Sequence, residues 1–236
     1  MKIDAALGPA DIARLPDRDL SRTLCVVFDV LRATTSLVTG LAHGMRAAIP
    51  VCSIEEALAE RSQDPSVLLG GERHGNRIDG FDLGNGPLEY DARVKHRVVV
   101  TTTTNGTIAL RACAGAAQTH AAALVNLSAA AGAVRGSALS TVLLVCAGTF
   151  EEPALEDIYA AGRLVHALGS QELSDTAAVC AAVGSRFGTD AGSALRATKN
   201  GRALLAAGRE ADLEWSASVD CVAVVARMAG SRLVVG

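Results

Sequence analysis

The chain has 236 residues, half of them apolar and only 3% aromatic, with a formal net charge of −3. That length suits one large domain or two small ones, with a core built from Ala, Val and Leu. The chain has no clustered Lys and Arg of the kind a phosphate backbone requires, so nucleic acid is not expected as the main partner.

No apolar run approaches the roughly 18–20 residues of a membrane span. The first twenty residues carry Asp4, Asp11, Asp17 and Asp19 and no apolar signal core, so a cytoplasmic protein is expected. The six cysteines (Cys25, Cys52, Cys113, Cys146, Cys180 and Cys221) are widely spaced, with no C-x-x-C or zinc-like pairing. Most lie in apolar or Ala-rich runs and read as reduced thiols.

In chain order, Lys2-Ile3-Asp4 opens a short strand that Gly8-Pro9 breaks, and a helical turn over 11–15 ends at Pro16-Asp17. An apolar, β-branched run predicts a buried strand over 24–30, followed by a helix over 34–43 that Gly44 stops. A strand follows over 47–51. Ser53 with Glu56 forms a capping box for a helix over 54–61. A third strand over 67–69 runs into Gly70-Gly71. Residues 70–87 have six glycines, many charges and no helical period, and read as an ordered active-site loop anchored by Ile78, Phe81 and Leu83. A strand over 97–100 enters a Thr-rich loop and an Ala-rich helix over 108–114. The run continues as a strand over 120–125, a helix to about 134, and a strand over 141–146. Helices follow over 154–168, 175–183 and 190–197. Asn200-Gly201 reads as a turn, 203–207 as a short helix, and the apolar run 219–225 as either strand or helix. Strands and helices alternate over the first 150 residues and helices dominate the last 80 or so. The pattern is an α/β layered fold with a helical C-terminal region packed on it. The expectation is a single domain over 1–236, with a subdivision near 150–170 left open.

Three strand ends carry the chemistry. The first is Asp29, Arg32, Thr34 and Thr35, an acid, a guanidinium and two hydroxyls that suit a metal plus an oxyanion. An Asp29–Arg32 ion pair is the bland alternative. In the long loop, Glu72 and Asp82 are the best metal-ligand candidates, against a reading as solvated carboxylates. The third is Thr101 to Thr107, with Asn105-Gly106 ahead of a helix. It is either an oxyanion cradle or an ordinary strand end with a turn. Glu151, Glu152, Glu156 and Asp157 lie before and inside the first turn of another helix. Dipole compensation explains some of these acids without requiring four. Cys146 is a rival nucleophile, but the Cys-x5-Arg phosphate loop is missing and nearby acids would raise its pKa.

These residues form a recognisable series: Asp29-Val30-Leu31-Arg32-Ala33-Thr34-Thr35, Gly70-Gly71-Glu72-Arg73, Gly80-Phe81-Asp82-Leu83-Gly84-Asn85 with Pro87-Leu88-Glu89-Tyr90, Thr102-Thr103-Thr104-Asn105-Gly106-Thr107, and Cys146-Ala147-Gly148-Thr149 with Leu155-Glu156-Asp157. In order and spacing it resembles the 2-phosphosulfolactate phosphatase family, over roughly residues 25–165. The resemblance implies a layered α/β/α fold with a mixed sheet, particular to the family, and Mg²⁺-dependent hydrolysis of a phosphate monoester on a small acidic substrate. It implies catalytic roles for Asp29, Arg32, Glu72, Asp82 and Glu156. Substrate binding falls to Arg32, Thr34, Thr35, Asn85, Thr103, Thr104, Asn105 and Gly106, and metal ligation to Asp29, Glu72, Asp82 and Asp157. The chain departs from the family pattern at Asn200 (before Gly201, where a His is usual), at Ser216 after Trp215 (a Cys) and at Gly86 (a Ser). Two other readings stay open: a non-catalytic binder of a phosphorylated metabolite, and an isomerase or lyase on a related phospho- or sulfo-acid. Ala-rich helices with few charges leave a helix-packed homodimer open.

Overall fold

The structure is a computed structural model that describes residues 1–169 and 171–236; Ser170, at the far end of the expected subdivision, lies outside the described residues. Its centre is strand β2 (Thr23–Phe28), buried along its whole length. Successive side chains of a strand point to opposite faces, and β2 shows the consequence. Leu24, Val26 and Phe28 enter one core with Leu144, Tyr159 and Leu164. Cys25 and Val27 enter another with Leu37, Val38, Leu41, Tyr90 and Leu110. A strand buried on both faces needs a helical layer on each side.

Those layers come from the intervening helices. On one face lie α5 (Leu127–Gly136), α6 (Leu155–Leu168) and α7 (Asp175–Phe187). On the other lie α2 (Ala33–Ala42) and α4 (Gly106–Ala112). The short α1 (Pro9–Ile12) contributes Ile12 to that second core. Farther along the sheet, α3 (Ile54–Gln63) is capped by Ser53, whose side chain accepts the Glu56 N–H at 3.1 Å. Three short helices, α8 (Ala191–Arg196), α9 (Lys199–Ala206) and α10 (Glu210–Ala217), follow α7.

The sheet is mixed. One parallel block places β2 between β7 (Gln118–Ala122) and β8 (Thr141–Cys146), with β1 (Lys2–Ala6) and β9 (Glu172–Leu173) beyond β8. A second block places β6 (Val98–Thr102) between β3 (Ala47–Pro50) and β4 (Leu68–Arg73), with β5 (Asn76–Arg77) antiparallel on the edge. The C-terminal hairpin of β10 (Ala226–Ala229) and β11 (Arg232–Val235) joins the blocks, antiparallel to β7 on one side and to β3 on the other. Three antiparallel pairings in succession make the two blocks run in opposite senses. The layered α/β fold with a mixed sheet agrees with expectation. No helix among the described residues is long and apolar enough to cross a membrane.

Several local readings change. The Gly-rich segment, expected as an ordered loop, is strand in its first part: β4 runs through Gly70-Gly71 to Arg73 and turns into β5. Gly71 is required there, because its φ is +139° and an added Cβ would lie 2.0 Å from the Thr102 carbonyl oxygen. Asn200-Gly201 is not a turn but the start of α9, where Thr198 accepts the Gly201 N–H at 3.0 Å. Gly201 is there for close approach, since a Cβ would lie 1.8 Å from the Leu195 carbonyl oxygen. Residues 219–225 form neither strand nor helix. The hairpin that follows them lies inside the sheet, so the C-terminal region is not helical to its end.

Candidate active site

A cleft of about 390 Å³ opens where the ends of β2, β4, β6 and β8 meet α9. Both blocks of the sheet supply its walls. Asp29 follows β2 and Thr149 follows β8, while Glu72 ends β4 and Thr104 follows β6. Residues far apart in the sequence thus close on one place, at the carboxyl ends of strands.

Asp29 is locked by its own loop. Its Oδ1 accepts the Ala33 N–H at 3.0 Å as α2 begins, and its N–H donates to the Thr34 hydroxyl at 3.0 Å. Its Oδ2 lies beside Gly106, where a Cβ would come within 2.4 Å. Burial, with the charges of Glu72 and Glu156 added, pushes the Asp29 carboxyl up to about 7 against the pull of the Ala33 N–H and Arg32. Glu72 stands across from it. One of its oxygens accepts the Thr104 N–H and hydroxyl at 2.8 and 2.9 Å, the other the Gly75 N–H at 2.7 Å. Glu156, buried in the first turn of α6, accepts from the Asn200 amide, which also donates to the Thr149 hydroxyl. Burial raises its pKa, opposed by that amide. Asp157 spends both oxygens on backbone: the Val30 N–H at 2.8 Å and the Gly148 N–H at 3.0 Å. It ties the loops after β2 and β8 together, and burial with Asp29 and Glu156 nearby pushes its pKa upward.

The other predicted residues divide. Arg32 and Asn85 line the cleft with Thr104 and Asn105. Arg32 does not pair with Asp29 as the bland reading had it; it makes a 2.5 Å ion pair with Asp212 and donates to the Gly75 carbonyl at 3.1 Å. Asn105 bridges to the loop after β8, donating to the Phe150 carbonyl at 3.0 Å and accepting its N–H at 3.0 Å. Gly106 supplies the space Asp29 needs. Thr34 and Thr35 are fully buried, and their hydroxyls donate to the carbonyls of Asp29 and Val30. Thr103 is likewise turned inward, accepting the Thr107 N–H at 3.1 Å. These three shape the loops without facing the cleft. Asp82 lies outside the cleft altogether, paired with Arg61 and accepting the Leu69 N–H at 2.8 Å. Cys146 is fully buried in the core and does not line the cleft, which leaves it no route to a substrate; the neighbouring Cys180 and burial also push its thiol well up.

Some lining residues carried no signal in the sequence. Arg209 follows α9 and donates to the Gly75 carbonyl and, at 3.2 Å, to Asn76. His74 and Phe150 both adopt positive φ, and their rings meet at 5.7 Å at the cleft. Loop-tip residues like these have no periodicity to betray them. Of the three departures, Asn200 lines the cleft, whereas Ser216 is buried and donates to the Asp212 carbonyl at 2.7 Å. Gly86 faces the Arg32–Asp212 pair, where a Cβ would lie 3.1 Å from Asp212 Oδ2.

Residues 11–231 match the family described as 2-phosphosulpholactate phosphatase. The chain belongs to that family. Among its relatives, a "Probable 2-phosphosulfolactate phosphatase" of Deinococcus radiodurans is 42% identical over 201 residues, 83% of each chain. A protein of the same name from Symbiobacterium thermophilum is 36% identical, covering 89% of this chain and 93% of its own. Another from Carboxydothermus hydrogenoformans is 36% identical over 95% of this chain and 92% of its own. The 2-phosphosulpholactate phosphatase match takes in α9, α10 and the start of the C-terminal hairpin, beyond the motifs that first suggested it.

Proposed function

We propose that the chain hydrolyses a phosphate monoester of a small acidic metabolite, 2-phosphosulfolactate by the names its relatives carry, to sulfolactate and phosphate, with Mg²⁺ as cofactor. The observation that carries this reading is the pair of carboxylates Asp29 and Glu72 lining a cleft that also presents Arg32, with Glu156 buried nearby. Burial raises the Asp29 pKa, the charges of Glu72 and Glu156 add to the rise, and a carboxyl so placed calls for a cation or a proton.

Magnesium takes oxygen donors, is held by one or two carboxylates plus substrate oxygens, and keeps several waters. Among the described residues, no three Asp, Glu, His or Cys side chains gather into a ready ligand set. Neither Asp157 nor Asp82 lines the cleft. A fit to one or two protein carboxylates remains: Asp29, whose Oδ2 makes no bond to the loop, and Glu72 across the cleft, which would bind an ion through lone pairs left beside its bonds to Thr104 and Gly75. When bound there, the ion would offset charge on the phosphoryl oxygens.

The chain's own groups do the rest. Arg32, at the start of α2, is the guanidinium that would neutralise equatorial phosphoryl oxygens, drawn toward them from Asp212 and the Gly75 carbonyl that hold it here. Glu156 does not line the cleft; buried in α6, it holds the Asn200 amide, which does, and so positions that wall. Asp157 and Asn105 hold the three loops in register, so the charges need not be reorganised during reaction.

The test is phosphate release from 2-phosphosulfolactate and phospholactate, with Mg²⁺ and with EDTA, by wild type and Asp29→Asn. Metal-dependent release is expected from wild type, with a loss of at least a thousandfold in the variant. Full turnover by Asp29→Asn removes Asp29 from the mechanism. If the folded protein releases no phosphate from either ester, the chain is a binder or works another reaction on a related acid.

A further inference from the structure

A second cavity, of about 260 Å³, adjoins the cleft and shares Arg32, Gly75, Asn85 and Arg209 with it. Its remaining walls are Arg77, Gly84, Glu89 and Asp212. The two spaces differ in charge. The acids Asp29 and Glu72 line only the main cleft and Arg77 only the side cavity, while Arg32 and Arg209 line both. Of the side cavity's two acids, Glu89 is bound to the Gly84 and Gly86 N–H groups at 2.8 and 3.2 Å, and Asp212 is paired with Arg32. Arg209 rests on two uncharged acceptors, the Gly75 carbonyl and the Asn76 amide oxygen. Among the described residues, neither Arg77 nor Arg209 has a carboxylate at ion-pair distance.

Two guanidiniums without counter-charge, converging on a cavity beside an acidic cleft, are suited to an anion. We propose that the side cavity binds a non-transferred oxyanion of the substrate, with Arg77 and Arg209 as its cations. The proposal rests on the phosphatase reading for the identity of that anion. 2-Phosphosulfolactate carries two such groups, a carboxylate and a sulfonate, and the sulfonate, with fixed charge and three oxygens that match a guanidinium fork, is the one the side cavity takes. The phosphoryl end then lies among Asp29, Glu72 and Arg32, and the tail reaches past Arg32 into the side cavity. Arg32 lines both spaces and marks the boundary between them. On this arrangement the tail sets which ester is taken, and the acidic cleft sets the reaction.

The experiment compares Arg77→Gln and Arg209→Gln with wild type in two ways. The first is kcat/KM for phosphate release from 2-phosphosulfolactate and from phospholactate, which lacks the sulfonate. The second is calorimetric binding of sulfolactate and of lactate to the metal-free protein. The expected result is a preference for the sulfonated ester that falls about 10- to 100-fold in each variant, mostly through KM, with a matching loss of sulfolactate affinity. Arg209 also braces the turn at Gly75, so Arg77→Gln, on the exposed edge strand β5, is the second variant that separates tail binding from loop placement. An equal loss on both esters in both variants, or sulfolactate binding that neither variant weakens, overturns the proposal. If wild type hydrolyses neither ester while sulfolactate binding still depends on Arg77 and Arg209, the reaction reading fails and the subsite stands.

Discussion

Asp29 has two tasks at once. One oxygen starts α2 by accepting the Ala33 N–H, and the other lies beside Gly106. An added Cβ at Gly106 would stand 2.4 Å from that oxygen and 2.6 Å from the Ala33 Cβ. Gly106→Ala is therefore expected to cost about 1–3 kcal/mol of stability and to lower phosphate release at least tenfold by displacing the carboxylate. Urea denaturation and the release assay check this together; an unaffected rate shows that Asp29 need not sit where it does. The raised pKa has a consequence of its own. The unfolded Asp29 ionises near 3.8 and the folded one at about 7. Between those values the folded chain holds a proton that the unfolded chain has released. Stability then falls as pH rises through that window and levels off above it, and Glu156 and Asp157 are shifted in the same direction. Metal-free protein should melt at a higher temperature at pH 5 than at pH 8, and the difference should shrink in Asp29→Asn. A difference of the same size in the variant assigns it to other groups.

At the scale of elements, the strand ends were legible because a β-branched run followed by polar residues has one physical reading. Asp29 and Thr104 could be picked out on that basis, Glu72 from the charged Gly-rich loop, and Glu156 from the excess of acids at a helix start. Their partners could not be. Thr34 and Thr35 stand in the same motif as Asp29, yet their hydroxyls close the turn by donating to carbonyls five residues back. A one-dimensional motif does not say which of its polar atoms the backbone will consume. Asp82 shows the same limit, since only the fold brings Arg61 to it. The Ala-rich helices α6 and α7 were visible as helices, but their contact was not. Gly162 and Gly184 let the two backbones nearly touch, and a Cβ on Gly162 would lie 1.9 Å from the Cys180 carbonyl oxygen. Backbone cannot yield as a flexible side chain can, so Gly162→Ala should force α6 and α7 apart and cost about 3 kcal/mol or slightly less. A urea midpoint equal to wild type would show that the helices can separate freely.

For the whole molecule, the C-terminal hairpin is the joint. β10 and β11 lie between β7 and β3, so removing residues 226–236 would bare the edges of both parallel blocks. The truncated chain is expected to aggregate or lose its cooperative thermal transition, measured by light scattering and circular dichroism. A soluble truncation with wild-type melting would show that the blocks hold together through their helices alone. Composition, periodicity and motif order by themselves determined the layered α/β class, the buried strands, and a set of acids and an arginine at strand ends. They did so because burial and hydrogen bonding impose local periods that survive in one dimension. The tertiary structure alone decided that the last eleven residues join two opposed blocks, that Asp82 leaves the site, and that Arg209 and Asn200 enter it. Those outcomes depend on contacts between residues far apart in the chain, and no local pattern encodes which distant partner a charge will meet.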